Sequence, residues 1–275
     1  MKFSVLMSVY KNDNSLYFEE ALKSVTNLQT LRPNQVVIVK DGPVDKTIDF
    51  IINKIKKNNS NIEFTVLTKS KNEGLAAALN DGIKLCKYDL IARMDSDDIS
   101  LNDRFEKQIN LFKKYNDVDA IGGSIAEFNK RPGDIQSKRE VGLTMDEIVK
   151  MAKKRTPMNH VSVMYKKKSI IEVGCYSENF GKLEDYKLWV DLINANRKLM
   201  NISDIIVNVR VGDGFLSRRS NKREIQDWDM LQKYLLKNNI VNHFEAFLNK
   251  IYIRVFIYMP GWLKKIAYST ILRRK

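Results

Sequence analysis

The sequence predicts an α/β fold in which a mostly parallel sheet is flanked by helices. Short apolar segments alternate with amphipathic ones through the first half of the chain, which is typical of parallel strands joined by right-handed helical crossovers. Polar side chains follow three of the apolar segments: Tyr10, Asp41, and Asp95 with Asp97. Because the carboxyl ends of parallel strands meet at one edge of a sheet, we expect these side chains to form a ligand site there.

Four short apolar segments predict the buried strands of this sheet. They cover residues 3–10, 35–39, 62–67 and 88–94. Helices are predicted after the first strand, where Phe18, Ala21, Leu22 and Val25 recur at helical spacing, and over 46–57, 75–85 and 102–115. A further strand is predicted near 120–128.

The second half of the chain is less regular. The polar, turn-rich segment 130–142 predicts an exposed loop, followed by a helix over 145–154 and a short strand over 161–165. Glu184 and Asp185 open the next predicted helix. Acidic residues in a first turn are favoured by the helix dipole, but a carboxylate fixed there can also act as a general base. The sequence leaves both interpretations open.

The stretch Arg93-Met94-Asp95-Ser96-Asp97-Asp98 places three carboxylates within four positions, directly after a predicted strand. Carboxylates this close raise each other's pKa unless a positive charge lies among them. A divalent cation is one solution, because magnesium and manganese prefer hard oxygen ligands. The alternative is a solvated acidic turn in which Asp98 or Asn102 caps the next helix.

The composition limits the classes of function. The chain has 275 residues, of which 44% are hydrophobic, enough for one large domain. A net charge of +14 predicts an anionic partner, which could be nucleic acid, an acidic membrane surface or a phosphorylated substrate. No Gly-x-Gly-x-x-Gly follows the first strand and no Gly-Lys-Ser/Thr loop occurs, which argues against a dinucleotide dehydrogenase and a P-loop NTPase.

Cysteine and histidine are scarce. Cys86 and Cys175 are far apart, which predicts a reduced compartment without a disulfide framework. His160 and His243 leave little material for a histidine-rich metal site. The first residues do not have the pattern of a signal peptide, and no apolar run is long enough to predict a spanning helix.

The last third of the chain is strongly basic. Residues 209–223 include Arg210, Arg218 and Arg219 and predict either a solvated basic loop or a binding segment. From residue 246 to 275 there are seven basic residues, interleaved with aromatic ones, and no acidic residue. This tail predicts either an interfacial membrane helix or a helix that packs on the domain with a basic outer face. No recognisable nucleic-acid module is present.

Four motifs together resemble the family-2 glycosyltransferases of bacterial O-antigen and capsule synthesis. They are 4–10 with Lys40-Asp41-Gly42, Asn72-Glu73-Gly74-Leu75-Ala76, residues 93–98, and Glu184-Asp185-Tyr186-Lys187-Leu188-Trp189. The resemblance implies a GT-A (Rossmann-like) catalytic domain over residues 1–215. Its nucleotide-sugar half would span about 1–128 and its acceptor half about 129–215. A basic amphipathic helical tail would occupy 216–275.

The resemblance also implies roles for individual residues. Tyr10 and Asp41 would line the base and ribose of a nucleotide-diphosphate sugar, Asn72 and Gly74 would lie near the nucleotide, and Arg93 would lie beside the diphosphate. Asp95 would face the ribose and the metal, Asp97 would ligate Mn²⁺ or Mg²⁺, and Asp185 would be the catalytic base. His160 would belong to the acceptor or metal side, or be a hydrogen-bonded structural histidine. Glu184, Arg218 and Arg219 would face the acceptor or its diphosphate.

Two departures from the family pattern are visible. The chain has Lys40-Asp41-Gly42-Pro43 where the family commonly has Asp-Asp-Gly-Ser, so base recognition would depend on Asp41 alone. The Gln-x-x-Arg-Trp motif of processive synthases is not found at the expected place, which predicts transfer of a single sugar.

The resemblance therefore predicts a metal-dependent, inverting transfer of one sugar, most simply from a UDP-hexose to a saccharide on a lipid diphosphate. The enzyme would lie peripherally on the inner, cytoplasmic face of the cell membrane, and no nucleic acid is expected. Two alternatives remain. A sugar nucleotidyltransferase of related fold would release pyrophosphate and would not need Asp185. A non-enzymatic basic module that binds nucleic acid or membrane would tolerate loss of Asp97.

Overall fold

A single mixed sheet runs through the computed structural model, which describes residues 1–212, 222–260 and 263–264. Within these residues the strand order is β3-β2-β1-β4-β8-β6-β9-β5, and β7 pairs with β6. The strands are β1 (Phe3–Val9), β2 (Gln35–Lys40), β3 (Glu63–Thr68), β4 (Leu90–Met94), β5 (Ile99–Ser100), β6 (Val118–Phe128), β7 (Ser137–Arg139), β8 (Met164–Lys166) and β9 (Lys198–Arg210).

Four helices in the described ranges begin where a side chain accepts the free N–H groups of the first turn. Asn14 caps the first helix and Asp45 the second, and Thr144 with Glu147 forms a capping box before the fifth. The helices are α1 (Ser15–Ser24), α2 (Lys46–Lys57), α3 (Leu75–Leu85), α4 (Arg104–Lys114), α5 (Met145–Ala152), α6 (Lys167–Glu172), α7 (Glu184–Asn194), α8 (Lys222–Lys237) and α9 (His243–Tyr258).

The first four strands form the parallel half that the alternating pattern predicts. β1 pairs in parallel with β2 and β4, and β2 pairs in parallel with β3. Strands β1, β2 and β4 are buried on both faces because helices cover both, whereas β3 at the edge of the sheet is partly exposed. Val5 and Met7 of β1 face α1, α2 and α4, whereas Leu6 faces α3 and α7. The predicted α/β class with helices on both sides of the sheet is confirmed.

The second half of the sheet is mainly antiparallel and departs from the sequence prediction. β8 runs antiparallel to both β4 and β6, and β6 runs parallel to β9. The predicted loop 130–142 contains the short strand β7. The 13-residue strand β9 was not predicted at all. Its residues alternate poorly because the strand is bulged and packs against several different elements.

The predicted strand over 161–165 is wrong in its first half. Residues His160–Ser162 form a 3-10 turn, and the strand begins only at Met164. The Ser162 hydroxyl donates to the carbonyl of Asn159 at 2.7 Å and accepts the N–H of Gly123 at 3.0 Å. These local hydrogen bonds replace the strand ladder, which is how serine competes with regular structure.

Helices α8 and α9 pack on α7 through a third apolar cluster, which is separate from the two clusters on the faces of the sheet. Leu231 and Leu235 of α8 and Ala246 of α9 are buried against Tyr186 and Val190 of α7. The predicted boundary at residue 215 and the membrane role of the tail remain predictions. Across the described ranges, none of the helices has both the length and the hydropathy needed to cross a bilayer.

Candidate active site

The carboxyl ends of β1, β2 and β4 lie side by side. Val9 at the end of β1 pairs with Lys40 at the end of β2, and Met7 pairs with Met94 at the end of β4. The structure therefore brings the segments that carry Tyr10, Asp41 and Asp95 to one edge of the sheet, as the parallel topology requires. Tyr10 is 41% exposed at this edge.

Asp41 joins the end of β2 to the start of α3. Its carboxylate accepts the backbone N–H groups of Glu73 and Gly74, each at 2.9 Å. The Asn72 side chain donates to the carbonyl of Asp41 at 3.3 Å. Gly42 has a φ of +91°, and a Cβ at this position would lie 2.8 Å from the Asn72 nitrogen. Two sequence motifs about thirty residues apart are thus held in one turn that only glycine permits.

Successive residues of the acidic loop after β4 alternate between half-buried and buried. Asp95 and Asp97 are half-buried, whereas Ser96 and Asp98 are buried. The Ser96 hydroxyl donates to the carboxylate of Asp13 at 2.7 Å, and this carboxylate also accepts the Tyr10 N–H at 3.1 Å. Sequence reasoning missed Asp13. Its position just after the first predicted strand was the available signal, since the other site residues also follow strands.

Negative charge accumulates at this edge. Burial, and then the charges of Asp95 and Asp13, raise the pKa of Asp97 to about 6. Burial also raises the pKa of Asp13, with a further contribution from Asp95. A divalent cation would relieve this repulsion, and oxygen donors suit Mg²⁺ or Mn²⁺. Among the described residues no group of three ligands is assembled. The half-buried Asp95 and Asp97 fit an ion held by one or two carboxylates and completed by substrate phosphates.

The alternative of a solvated capping turn is wrong for Asp98 and Asn102. The residue before α4 is Asp103, whose side chain makes no capping hydrogen bond. Asp98 is 3% exposed, and its carboxylate accepts the backbone N–H of Arg210 at 2.8 Å. Burial, with the neighbouring Asp95 and Asp97, holds the pKa of Asp98 well above its ordinary value.

Arg210, at the end of β9, anchors the acidic loop. Its Nε donates to the carbonyl of Asp97 at 3.1 Å, and a terminal nitrogen pairs with Glu20 at 2.7 Å. The guanidinium lies over the ring of Tyr17 at 3.7 Å and the ring of Phe128 at 4.5 Å. Arg210 belongs to the basic segment that the sequence placed in a solvated or binding loop, and this is wrong for Arg210, which is 8% exposed. Arg218 and Arg219 lie outside the described residues.

Arg93 lies beneath the site edge. The side chain is 2% exposed and forms an ion pair with Asp95. Its Nε and one terminal nitrogen are buried without a hydrogen-bond partner among the described residues. Because the guanidinium is enclosed, it can act on a bound diphosphate through its charge more readily than through direct contact.

Glu184 and Asp185 open α7, immediately after a 3-10 turn over Gly181–Leu183. Asp185 is half-buried, and its carboxylate accepts the Tyr186 N–H at 2.7 Å and the Thr156 hydroxyl at 3.4 Å. Glu184 is 6% exposed. Burial, and then the neighbouring Asp185, raise the pKa of Glu184 to about 8, while Arg93 opposes the shift. The Glu184 carboxyl therefore holds its proton more tightly than an exposed glutamate does.

His160 lies in an aromatic environment. Its Nε2 forms a 2.8 Å hydrogen bond with the Tyr176 hydroxyl, and its ring packs against Trp189 at 6.1 Å between centroids. Burial, and then the charge of Arg93, lower the pKa of His160 well below its ordinary value, so the imidazole is neutral. This geometry favours the structural interpretation of His160 over a metal ligand.

The comparisons with known proteins agree with the motif pattern. The model of the family described as "Glycosyl transferase family 2" matches residues 4–177. An Escherichia coli protein named UDP-Gal:alpha-D-GlcNAc-diphosphoundecaprenol beta-1,3-galactosyltransferase is 32% identical over 274 residues, which cover 99% of this chain and 97% of that protein. The amylovoran biosynthesis glycosyltransferase AmsE of Erwinia amylovora is 32% identical over 235 residues, covering 86% of this chain and 85% of AmsE.

A solved structure shares the fold. S. aureus TarS 1–349 in complex with UDP-GlcNAc matches with a TM-score of 0.67, over 99% of this chain and 76% of that one. The sequence identity is 16%, so the likeness concerns the fold alone. The predicted GT-A architecture of the sheet and its flanking helices is confirmed by this match.

Replacement of Arg210 by alanine should destabilise the protein by about 2–4 kcal/mol, because it removes a buried side chain that packs on Tyr17 and Phe128 and leaves the part-buried Asp97 carbonyl without its donor. Denaturant unfolding measures this directly. Arg197→Ala removes a surface ion pair with Glu172 at the opposite edge of the sheet and should cost only about 0–1 kcal/mol. Equal losses in the two variants would contradict the anchoring role of Arg210.

The raised pKa of Glu184 predicts that Glu184→Gln changes the free energy of unfolding by an amount that depends on pH. The folded protein holds the Glu184 proton more tightly than the unfolded chain, so the stability this carboxyl contributes is full at acidic pH and is lost as the pH rises through about 8. Glutamine does not ionise. The free energy of unfolding of the variant, relative to that of the parent, should therefore rise by about 4 kcal/mol between about pH 5 and about pH 9.

Unfolding curves at the two pH values give the comparison for Glu184→Gln. The exposed Glu178 supplies the control, because Glu178→Gln should shift stability equally at both pH values. A constant difference between Glu184→Gln and the parent would show that Glu184 is already ionised in the folded protein.

Proposed function

Because the chain belongs to glycosyl transferase family 2, we propose that it moves one hexose from a UDP-sugar to a saccharide carried on a lipid diphosphate. The chain is a glycosyltransferase, and its relatives include enzymes of polysaccharide synthesis. The observation that carries the proposal is that Arg93 links two acidic groups of the site. It forms an ion pair with Asp95 of the acidic loop, and its charge also acts on Glu184, which precedes Asp185 at the start of α7. The name of the E. coli relative supports the choice of UDP and of a lipid-diphosphate acceptor.

The nucleoside would lie over the ends of β1 and β2. The half-exposed ring of Tyr10 offers a stacking surface, and the rigid turn that joins Asp41 to Asn72 and Gly74 offers backbone and carboxylate groups to the base and ribose. Asp41 already accepts two N–H groups, so its orientation is fixed before a donor arrives. A preorganised contact of this kind costs little entropy on binding.

Asp97 and Asp95 are the residues that would hold a divalent metal. Bound there, Mn²⁺ or Mg²⁺ would supply Lewis-acid stabilisation to the negative charge that develops on the departing nucleoside diphosphate. Members of this family generally depend on a divalent metal. Arg93 adds positive charge from beneath, since it is enclosed between Asp95 and the start of α7.

Asp185 would accept the proton. The acceptor hydroxyl oxygen forms a bond to the anomeric carbon as the bond from that carbon to the diphosphate oxygen breaks, and the hydroxyl proton passes to the Asp185 carboxylate. A single displacement inverts the anomeric configuration and needs no covalent intermediate. The geometry supports this role, because the half-buried Asp185 carboxylate at the start of α7 is oriented by hydrogen bonds from the Tyr186 N–H and the Thr156 hydroxyl.

The acceptor would be a lipid-linked saccharide of cell-surface polysaccharide synthesis, and the enzyme would work peripherally at the inner face of the cell membrane. The relatives named for lipid-linked and polysaccharide products support this setting. The net charge of +14 is consistent with an anionic surface.

Donor turnover tests the reaction class. UDP release from a panel of UDP-sugars, measured with manganese and a lipid-diphosphate saccharide, should occur with one sugar and should cease on chelation. Asp97→Ala should lower it by about two to four orders of magnitude, because a metal ligand is lost. Asp117→Ala, at the opposite edge of the sheet, should leave it unchanged. Pyrophosphate instead of UDP would establish a nucleotidyltransferase, and metal-independent nucleotide binding without turnover a binding module.

Asp185→Asn separates chemistry from binding. Turnover should fall by about 10²–10⁴-fold, because an amide does not accept the proton, whereas the affinity for UDP-sugar should stay within about threefold. Asp146→Asn changes an exposed acidic residue in the first turn of α5 and should have little effect, which controls for the helix dipole. Full activity of Asp185→Asn would remove Asp185 from the role of base.

A further inference from the structure

Helix α9 presents an apolar face that no other described part of the chain covers. Its inner face is buried, through Ala246, Asn249 and Ile257. Its outer face carries six large side chains that are 40–68% exposed: Phe244, Phe247, Ile251, Tyr252, Val255 and Tyr258. We call these six residues the α9 stripe.

The α9 stripe is continuous. At about 100° per residue, Phe244, Phe247, Ile251, Val255 and Tyr258 fall within about 80° of the helix circumference and extend over about 21 Å. On every other helix in the described ranges at most one large apolar side chain is exposed, such as Leu16 on α1 and Phe50 on α2. Isolated exposed residues of that kind are ordinary, but a contiguous stripe marks an interaction surface.

Polar contacts on the inner side of α9 fix its orientation, and they leave the α9 stripe on the outer side. The Asn249 amide donates to the carbonyl of Lys153 at 2.7 Å and to Gln232 at 3.0 Å. Arg254 pairs with Asp229 of α8 through two hydrogen bonds of 3.0 and 2.6 Å. Rotation of the helix to bury the stripe would break these contacts, of which the Asn249–Gln232 hydrogen bond is buried.

The charge of the sequence segment that carries the stripe selects the partner. From residue 246 to the C-terminus the sequence contains seven Lys and Arg residues and no acidic residue, within a chain of net charge +14. A second copy of the chain would bring the same positive charge to the interface and be repelled. An anionic bilayer attracts it, and aromatic and aliphatic side chains partition into the interface beside basic ones.

We propose that the α9 stripe docks on an anionic phospholipid surface, with α9 lying in the plane of the interface. This inference deepens the proposed function, since it rests on a lipid-linked acceptor and names the surface that meets the lipid. α9 packs on α8, and α8 packs on the 3-10 turn that leads into Glu184 and Asp185 of α7. Docking would therefore hold the acceptor side of the site close to the membrane.

Vesicle binding of the full chain tests the docking surface. With vesicles of phosphatidylcholine and phosphatidylglycerol in equal parts, Phe247→Glu combined with Ile251→Glu should lower the partition coefficient at least about tenfold. Leu28→Glu combined with Phe50→Glu makes the same change in charge at exposed residues in the turn after α1 and on α2, and should change binding less than about twofold. Neutral phosphatidylcholine vesicles should bind the parent chain weakly.

Turnover on a short-chain, water-soluble analogue of the lipid-diphosphate saccharide separates docking from catalysis. All variants should match the parent in this assay and in melting temperature, so a chain that binds vesicles but has no turnover would overturn only the proposed function. Unchanged vesicle binding of the α9 variant would overturn the docking proposal. So would a dimer of the parent chain that fails to bind vesicles and that the α9 variant dissociates, because a second copy would then be the partner.

Discussion

The accumulation of carboxylates at the end of β4 is the constraint on which the site depends. Asp95, Asp97 and Asp98 occupy three of four consecutive positions, and the carboxylate of Asp13 accepts a hydrogen bond from Ser96 between them. Two arginines make this arrangement tolerable from opposite sides. Arg93 pairs with Asp95 beneath the edge, and Arg210 holds the Asp97 carbonyl and the Asp98 carboxylate by side chain and backbone. The remaining negative charge, on Asp95 and Asp97, faces the edge where a cation and a diphosphate would bind.

The two arginines also join the two halves of the sheet. Arg93 belongs to β4 of the parallel half, whereas Arg210 ends β9, which pairs with β6 in the antiparallel half. The acidic loop after β4 and the end of β9 are therefore held together. A change at Arg210 reaches the acidic loop directly. A change in the charge of Glu184 reaches the same loop through Arg93, because a buried charge is poorly screened.

The C-terminal helices extend this unit outward. Tyr234 of α8 donates to Asp191 of α7, and Leu231 and Leu235 fill the apolar space between the helices. Helix α9 packs on α8, and the α9 stripe lies on the face of α9 that points away from the core. The packing thus leads from the start of α7, through α8, to the exposed aromatic and aliphatic side chains of α9. The tail packs on the domain, and the proposed docking on lipid would be compatible with that packing because it uses the opposite face of α9.

The sequence by itself determined the local elements and the chemistry at the strand ends. The helix over 46–57 and the strands that precede Tyr10, Asp41 and Asp95 follow from periodicity and from charge placement, which act within a few residues. Tertiary structure decided β9, the contact of Asp13 with Ser96, the burial of Arg93, the anchoring by Arg210 and the outward face of α9. Each of these depends on a partner across the sheet or on another helix, up to 190 residues away for Arg210 and Glu20. Propensity and pattern carry no information over such separations, because only packing specifies which distant groups meet.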